Sequence, residues 1–279
     1  MRIATPDALT LAADVDGPPD APVAVLLHGG GQTRYSWAGA MTALVVRGYR
    51  VINYDARGHG DSDWSAAGAY HLDDRAADLA AVTRDLRVPF ALVGASLGGA
   101  TAIQAVARGL QPAVVVLVDI VPEPEPEGVG RIVGFMRGHP DGFASLDEAA
   151  DAVAAYNPDR PRPSDPSGLM RNLRQRSDGR LAWHWDPRIV EADPQTHHEE
   201  VRRSAVALAR TDIPVLLVRG LRSDVVSPAG VAAFQALMPR LEIVDVVGAG
   251  HMVAGDRNDA FNAGVLDFLA RRMPTARRD

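Results

Sequence analysis

Phe90-Ala91-Leu92-Val93-Gly94-Ala95-Ser96-Leu97-Gly98-Gly99-Ala100-Thr101-Ala102-Ile103 reads as a buried strand, a turn of small residues and the start of a helix. The run Phe90 to Val93 is apolar without alternation, which suits a strand covered on both faces. Helical spacing resumes from about Gly99 to Gly109. Between them, Gly94-Ala95-Ser96-Leu97-Gly98 fits a sharp strand-to-helix bend. Such a bend projects its hydroxyl above the sheet edge, beside a helix N-terminus that favours developing negative charge. A serine hydroxyl is a weak nucleophile until it is held exposed beside a base. The stretch therefore predicts an α/β sheet and marks Ser96 as a candidate nucleophile.

Working outward, further valine-rich runs lie at Val23 to Leu27, Val51 to Tyr54, Ala113 to Val118, Val215 to Arg219 and Glu242 to Val247. Helix-length segments separate them: Ser36 to Arg47, Leu72 to Asp85, Pro228 to Met238 and Ala260 to Arg271. Alternation of this kind predicts a mostly parallel sheet flanked by helices. Arg2 to Val15 alternates and suits antiparallel edge strands. From 121 to 204 the strand signature lapses into proline clusters and helical pieces such as Leu146 to Ala155. That stretch reads as an insertion in a single core made of 1–120 and 205–279.

Three more motifs fall after predicted strands. His28-Gly29-Gly30-Gly31-Gln32 offers backbone amides that can approach a substrate oxygen without a Cβ in the way. Acyl transfer needs two such donors on the tetrahedral oxyanion, and the expected pair is Gly30 and Leu97, with Gly31 as the fallback. Gly220-Leu221-Arg222-Ser223-Asp224 places an acid after one strand, and Gly248-Ala249-Gly250-His251-Met252 a histidine after the next. Both loops would lie at the carboxyl edge where ligands bind in parallel sheets. The order Ser96, Asp224, His251 suits nucleophile, acid and base. Asp119, after the run ending at Val118, is an alternative acid. His197-His198-Glu199-Glu200 resembles a metal cluster only superficially, because neighbouring helical positions point about 100° apart.

Composition narrows the chemistry. The 279 residues include no cysteine, which excludes disulfides and thiol nucleophiles. All 29 basic residues are arginine, so Schiff-base lysine chemistry is excluded as well. The net charge of −6 with scattered arginines argues against a nucleic-acid surface. No run reaches the roughly 18 apolar residues of a membrane span, and no signal-peptide core begins the sequence. The expectation is a soluble cytoplasmic protein without metal or cofactor.

Together the four motifs resemble the α/β-hydrolase fold superfamily, in its serine-nucleophile branch with a lid, over about Val23 to Leu269. The resemblance implies an eight-stranded, mostly parallel sheet with helices on both faces and a helical lid over 121–204. It implies a catalytic triad of Ser96, His251 and Asp224, with Leu97 and Gly30 as the oxyanion hole. Asn53-Tyr54-Asp55-Ala56-Arg57-Gly58-His59-Gly60-Asp61-Ser62 is similar to a family loop whose charged residues hold structure. Gly31, Trp37, Trp183, Trp185 and Met252 are the expected substrate contacts; Trp183 and Trp185 would form a pocket wall or pack the lid, and Trp37 and Met252 would line the pocket or pack the core. The activity implied is hydrolysis of a carboxylic ester of a small, largely apolar substrate. Carbon–carbon-bond hydrolysis and cofactor-free perhydrolysis are alternatives on the same triad, and a non-catalytic binder is the alternative from another class.

Overall fold

A computed structural model describes residues 1–158, 162–191, 193–251 and 258–275. The valine-rich runs become strands of one sheet: β1 (Arg2–Ala4), β2 (Thr10–Asp16), β3 (Val23–Leu27), β4 (Arg50–Tyr54), β5 (Phe90–Ala95), β6 (Val114–Val118), β9 (Val215–Gly220) and β10 (Glu242–Val246). The short strands β7 (Leu173–Gln175) and β8 (Leu181–Trp183) form a separate hairpin inside the insertion. The main sheet runs β1-β2-β4-β3-β5-β6-β9-β10, antiparallel at β1–β2 and β2–β4 and parallel elsewhere. The alternating N-terminal run thus supplies the antiparallel edge.

Every residue of β3 and β6 is buried, as the non-alternating sequence predicts for central strands. Alternate residues of each strand feed two layers. Ala24, Leu26, Val93, Val116 and Leu216 pack beneath α1 (Ala38–Val46) and α8 (Asn258–Arg272), with Leu44, Phe268 and Leu269. Val25, Leu92, Val115 and Leu217 face the layer of α2 (Leu72–Thr83), α3 (Leu97–Ala107), α6 (Pro194–Ala209) and α7 (Pro228–Leu237), with Leu79, Ile103, Leu208 and Phe234. Each such large side chain contributes about 1.5–3 kcal/mol of burial free energy. α6 and α7 begin on proline at the first helical position, capped by Asp193 and Ser227. The side chains satisfy amides that the helix itself leaves open.

The insertion holds α4 (Pro126–Arg137), α5 (Leu146–Tyr156) and the β7–β8 hairpin. Met136, Phe143, Leu173, Trp183 and Trp185 form its own apolar core. Val201, Ala205 and Leu208 of α6 are instead buried in the main core, and Ser204 Oγ is hydrogen-bonded to Gln104 of α3. The apolar core of the insertion thus involves no residue of α6, a helix that runs across the expected boundary at 204 and contributes Val201, Ala205 and Leu208 to the main core.

Parallel register aligns the strand ends that matter. Ala95 pairs with Val118, Val118 with Val218, and Gly220 with Val246. Residues 96, 119, 220–224 and 247–251 consequently emerge at one edge. Among the described residues, no helix is long and apolar enough to cross a membrane.

Candidate active site

Ser96 sits between β5 and α3 with φ 46° and ψ −114°, a conformation that L residues adopt only under constraint. The constraint is visible in its surroundings. Its amide donates to Val118 O at 3.0 Å, and its carbonyl accepts from Ala100 N at 2.9 Å. A Cβ on Gly94 would lie 2.5 Å from the Gly98 carbonyl, and one on Gly98 would collide with the Leu27 carbonyl. Glycine is required at both places for the turn to close this tightly.

His251 follows β10 and donates from Nδ1 to a carboxylate oxygen at 2.7 Å. That carboxylate belongs to Asp119. Asp119 is 1% exposed, follows β6, and itself has a positive φ of 49°. Its Oδ1 accepts from Gly220 N at 3.1 Å, and its Oδ2 accepts from both His251 and the hydroxyl of Ser223. Ser223 Oγ in turn accepts from Val225 N and Val226 N at 3.2 and 3.1 Å. The carboxylate is thus fully hydrogen-bonded in a buried site, as a buried charge must be.

Asp224, which the sequence pattern favoured as the partner of His251, is paired with Arg131 of α4 instead. Their side chains are 38% and 64% exposed. The turn Gly220-Leu221-Arg222-Ser223, closed by Ser223 N donating to Gly220 O, carries Ser223 rather than Asp224 to the histidine's acid. The sequence marks Ser223 only by its position one before Asp224.

The glycine loop is organised by what occupies its amides. Gly29 N donates to Gln32 Oε1 at 3.0 Å, Gly31 N to His59 Nε2 at 3.2 Å, and Gln32 N to Gly29 O at 3.1 Å. Among the described residues, the amides of Gly30 and Leu97 have no partner within the protein. The fallback donor Gly31 is already engaged. His28 holds the loop's root, donating from Nδ1 to Gly29 O and accepting from Ala56 N at Nε2. Burial keeps His28 below the ordinary histidine range and His59 well below it.

Residues 24–263 match the model of the alpha/beta hydrolase family. The chain belongs to that family. "Esterase Rv0045c" of Mycobacterium tuberculosis is 32% identical over 263 residues, covering 88% of this chain and 83% of that protein. "Non-heme chloroperoxidase" of Burkholderia pyrrocinia is 30% identical over 269 residues, covering 91% and 93%. The crystal structure of E-2-(acetamidomethylene)succinate hydrolase superposes with a TM-score of 0.83 at 26% identity, covering 96% of this chain and 98% of that one.

In this α/β hydrolase the insertion reaches the glycine loop through Met136, His184 and Trp185. A Cβ on Gly30 would lie 3.5 Å from the Met136 sulfur, and one on Gly31 would lie 3.4 Å from the Trp185 ring. Trp185 is buried and donates from Nε1 to Met136 O at 3.3 Å. Trp183 stacks on Trp185 at 4.9 Å and meets Phe143 edge-on, within the insertion's own core. Trp37 is placed elsewhere: it is 1% exposed and packs with Leu26 and Leu44 under α1 and α8. It closes the helical turn Arg34–Trp37 that follows the glycine loop. Met252 lies outside the described residues. Asp55, Arg57 and His59 hold structure: Arg57 is bonded through both Nε and Nη2 to Asp78 at 2.6 Å, and Asp55 accepts from Arg34 and Asp61 amides. His198 pairs with Glu123, and burial lowers the His197 pKa to about 4.

Proposed function

We propose that this α/β hydrolase cleaves carboxylic esters of small, largely apolar substrates through a serine acyl-enzyme, with Ser96 as nucleophile, His251 as base and Asp119 as the triad acid. The 2.7 Å bond from His251 Nδ1 to a buried carboxylate, at the same sheet edge as the strained Ser96, carries this reading. An Nδ1–H held by a carboxylate leaves Nε2 unprotonated, the tautomer a general base requires. Nε2 takes the Ser96 proton as Oγ adds to the substrate carbonyl. The carbonyl oxygen becomes an oxyanion, which the Gly30 and Leu97 amides are left open to receive. His251 then returns the proton to the departing alkoxide, the C–O bond breaks, and the acyl group stays on Ser96. Water repeats the sequence through the same base and releases the acid. Met136 and Trp185 beside the glycine loop supply an apolar surface suited to an apolar acyl group.

The relatives named as esterase support the ester reading, and the one named as chloroperoxidase favours a second fate for the same intermediate. Hydrogen peroxide in place of water would release a peracid from the acyl-enzyme, with the same proton transfers. A panel of p-nitrophenyl esters of increasing acyl length tests the proposal, with and without added peroxide. Turnover by wild type that Ser96→Ala abolishes is the expected outcome. Equal turnover by both proteins would overturn it.

A further inference from the structure

His184, in the insertion, and His59, in the core, grip one residue of the glycine loop, Gly31, through the two successive peptide groups that flank its Cα. Gly31 donates its amide to His59 Nε2 at 3.2 Å, and its carbonyl accepts from His184 Nε2 at 3.3 Å. Each ring is anchored by its other nitrogen. His59 Nδ1 donates to Arg57 O at 3.1 Å, and His184 Nδ1 accepts from Gly60 N at 2.7 Å. Backbone amides can only donate and carbonyls only accept, so the partners fix both rings as neutral and of opposite tautomer. Both are buried, and burial lowers the His184 pKa to about 3. Their ring centroids are 5.9 Å apart.

Gly31 has no side chain, and its φ of 70° lies in the left-handed region. The turn bond from Gln32 N to Gly29 O spans Gly31, but among the described residues only the two imidazoles bond its own N–H and C=O. A glycine loop is flexible by default, whereas an oxyanion donor is effective only when its direction is set before reaction. We propose that His59 and His184 are positioning residues that clamp the two peptide groups flanking Gly31 and thereby aim the adjacent Gly30 amide, so that the oxyanion hole is complete only with the insertion seated through His184. This rests on the acyl-transfer reading above. It also gives a reason for His184 to stand between Trp183 and Trp185. Trp185 packs toward Gly31 at right angles to the imidazole, with ring centroids 5.2 Å apart, holding the ring over the loop.

Asparagine and glutamine separate the two bonds of each ring. Asparagine reaches as far as Nδ1, and glutamine as far as Nε2. His59→Asn and His184→Asn thus delete the contact to Gly31 and keep the anchor, whereas His59→Gln and His184→Gln keep the contact to Gly31. Turnover is measured per fluorophosphonate-titrated Ser96, so that unfolded protein does not count. Both asparagine variants should lose about 10–30-fold in kcat with KM changed less than about threefold, because a misaimed donor acts on the transition state. Both glutamine variants should stay within about threefold of wild type. Amide hydrogen exchange over residues 28–37 should accelerate at least about tenfold in the asparagine forms alone. Equal behaviour of the asparagine and glutamine forms, or a loss confined to KM, overturns the clamp. An inactive wild type would refute the acyl-transfer reading, and the exchange comparison would still decide the clamp.

Discussion

The exchange of Asp119 for Asp224 as the acid gives the sharpest prediction. Asp119→Asn keeps an oxygen for the Gly220 amide but places an NH₂ group, or an uncharged oxygen, against His251 and Ser223. With charge centres about 4 Å apart at an effective dielectric near 20, the lost carboxylate–imidazolium attraction is about 4 kcal/mol, or about 10³-fold in rate. An amide that donates to Nδ1 also traps the ring with its proton on Nε2, where it cannot accept from Ser96. Loss of the same carboxylate in serine-triad enzymes costs about 10⁴ in kcat, so a fall of about 10³–10⁴ is expected. Asp224→Asn removes only a partly exposed pair with Arg131, of a kind worth about 0–1 kcal/mol, and should change kcat less than about threefold. The assay is ester turnover normalised to titrated serine, with Tm measured alongside. A greater loss in Asp224→Asn than in Asp119→Asn would refute the reasoning.

Other consequences follow from the same geometry. Ser223→Ala removes one of three donors to Asp119 together with the acceptor for the Val225 and Val226 amides; kcat should fall about 3–10-fold and stability by about 1 kcal/mol, read from steady-state kinetics and urea titration, and an unchanged kcat would show the hydroxyl to be idle. Gly98→Ala sets a methyl against the carbonyls of Leu27 and His28, so Tm should drop by about 5–10 °C in calorimetry; an unaltered Tm would mean the turn is looser than described. His28, His59 and His184 have lowered folded-state pKa values, so below about pH 6.5 the unfolded chain binds protons that the folded one does not. Stability is therefore fully present above pH 6.5 and declines as pH falls toward the folded values, about 3 for His184, at up to roughly 4 kcal/mol per pH unit for three rings. Urea midpoints from pH 7 to 5 test this, and a flat profile would contradict it.

The sheet was legible because central parallel strands are apolar on both faces and stand apart from everything around them. The turn at Ser96 was legible for a similar reason: Gly94 and Gly98 are required by backbone contacts within a few residues. The acid was not. Asp119 and Asp224 both follow buried strands, and which one meets His251 depends on the path of the Gly220–Ser223 turn, a matter of three-dimensional closure rather than of spacing. Trp37 illustrates the same limit: it follows the glycine loop along the chain, and spacing alone does not show that it is buried with Leu26 and Leu44. The 121–204 insertion is bounded by the absence of a strand signature, which cannot show that Val201, near the middle of α6, packs in the main core with Ala205 and Leu208. The histidine grip on Gly31 joins residues 31, 59 and 184, and no local pattern could announce it.

The central claim is that Ser96 is an activated nucleophile. Intact-mass measurement after incubation with a fluorophosphonate tests it without any assumption about substrate. One adduct on wild type and none on Ser96→Ala is the expected result. An unlabelled, folded wild type, or an adduct that persists in Ser96→Ala, would contradict it.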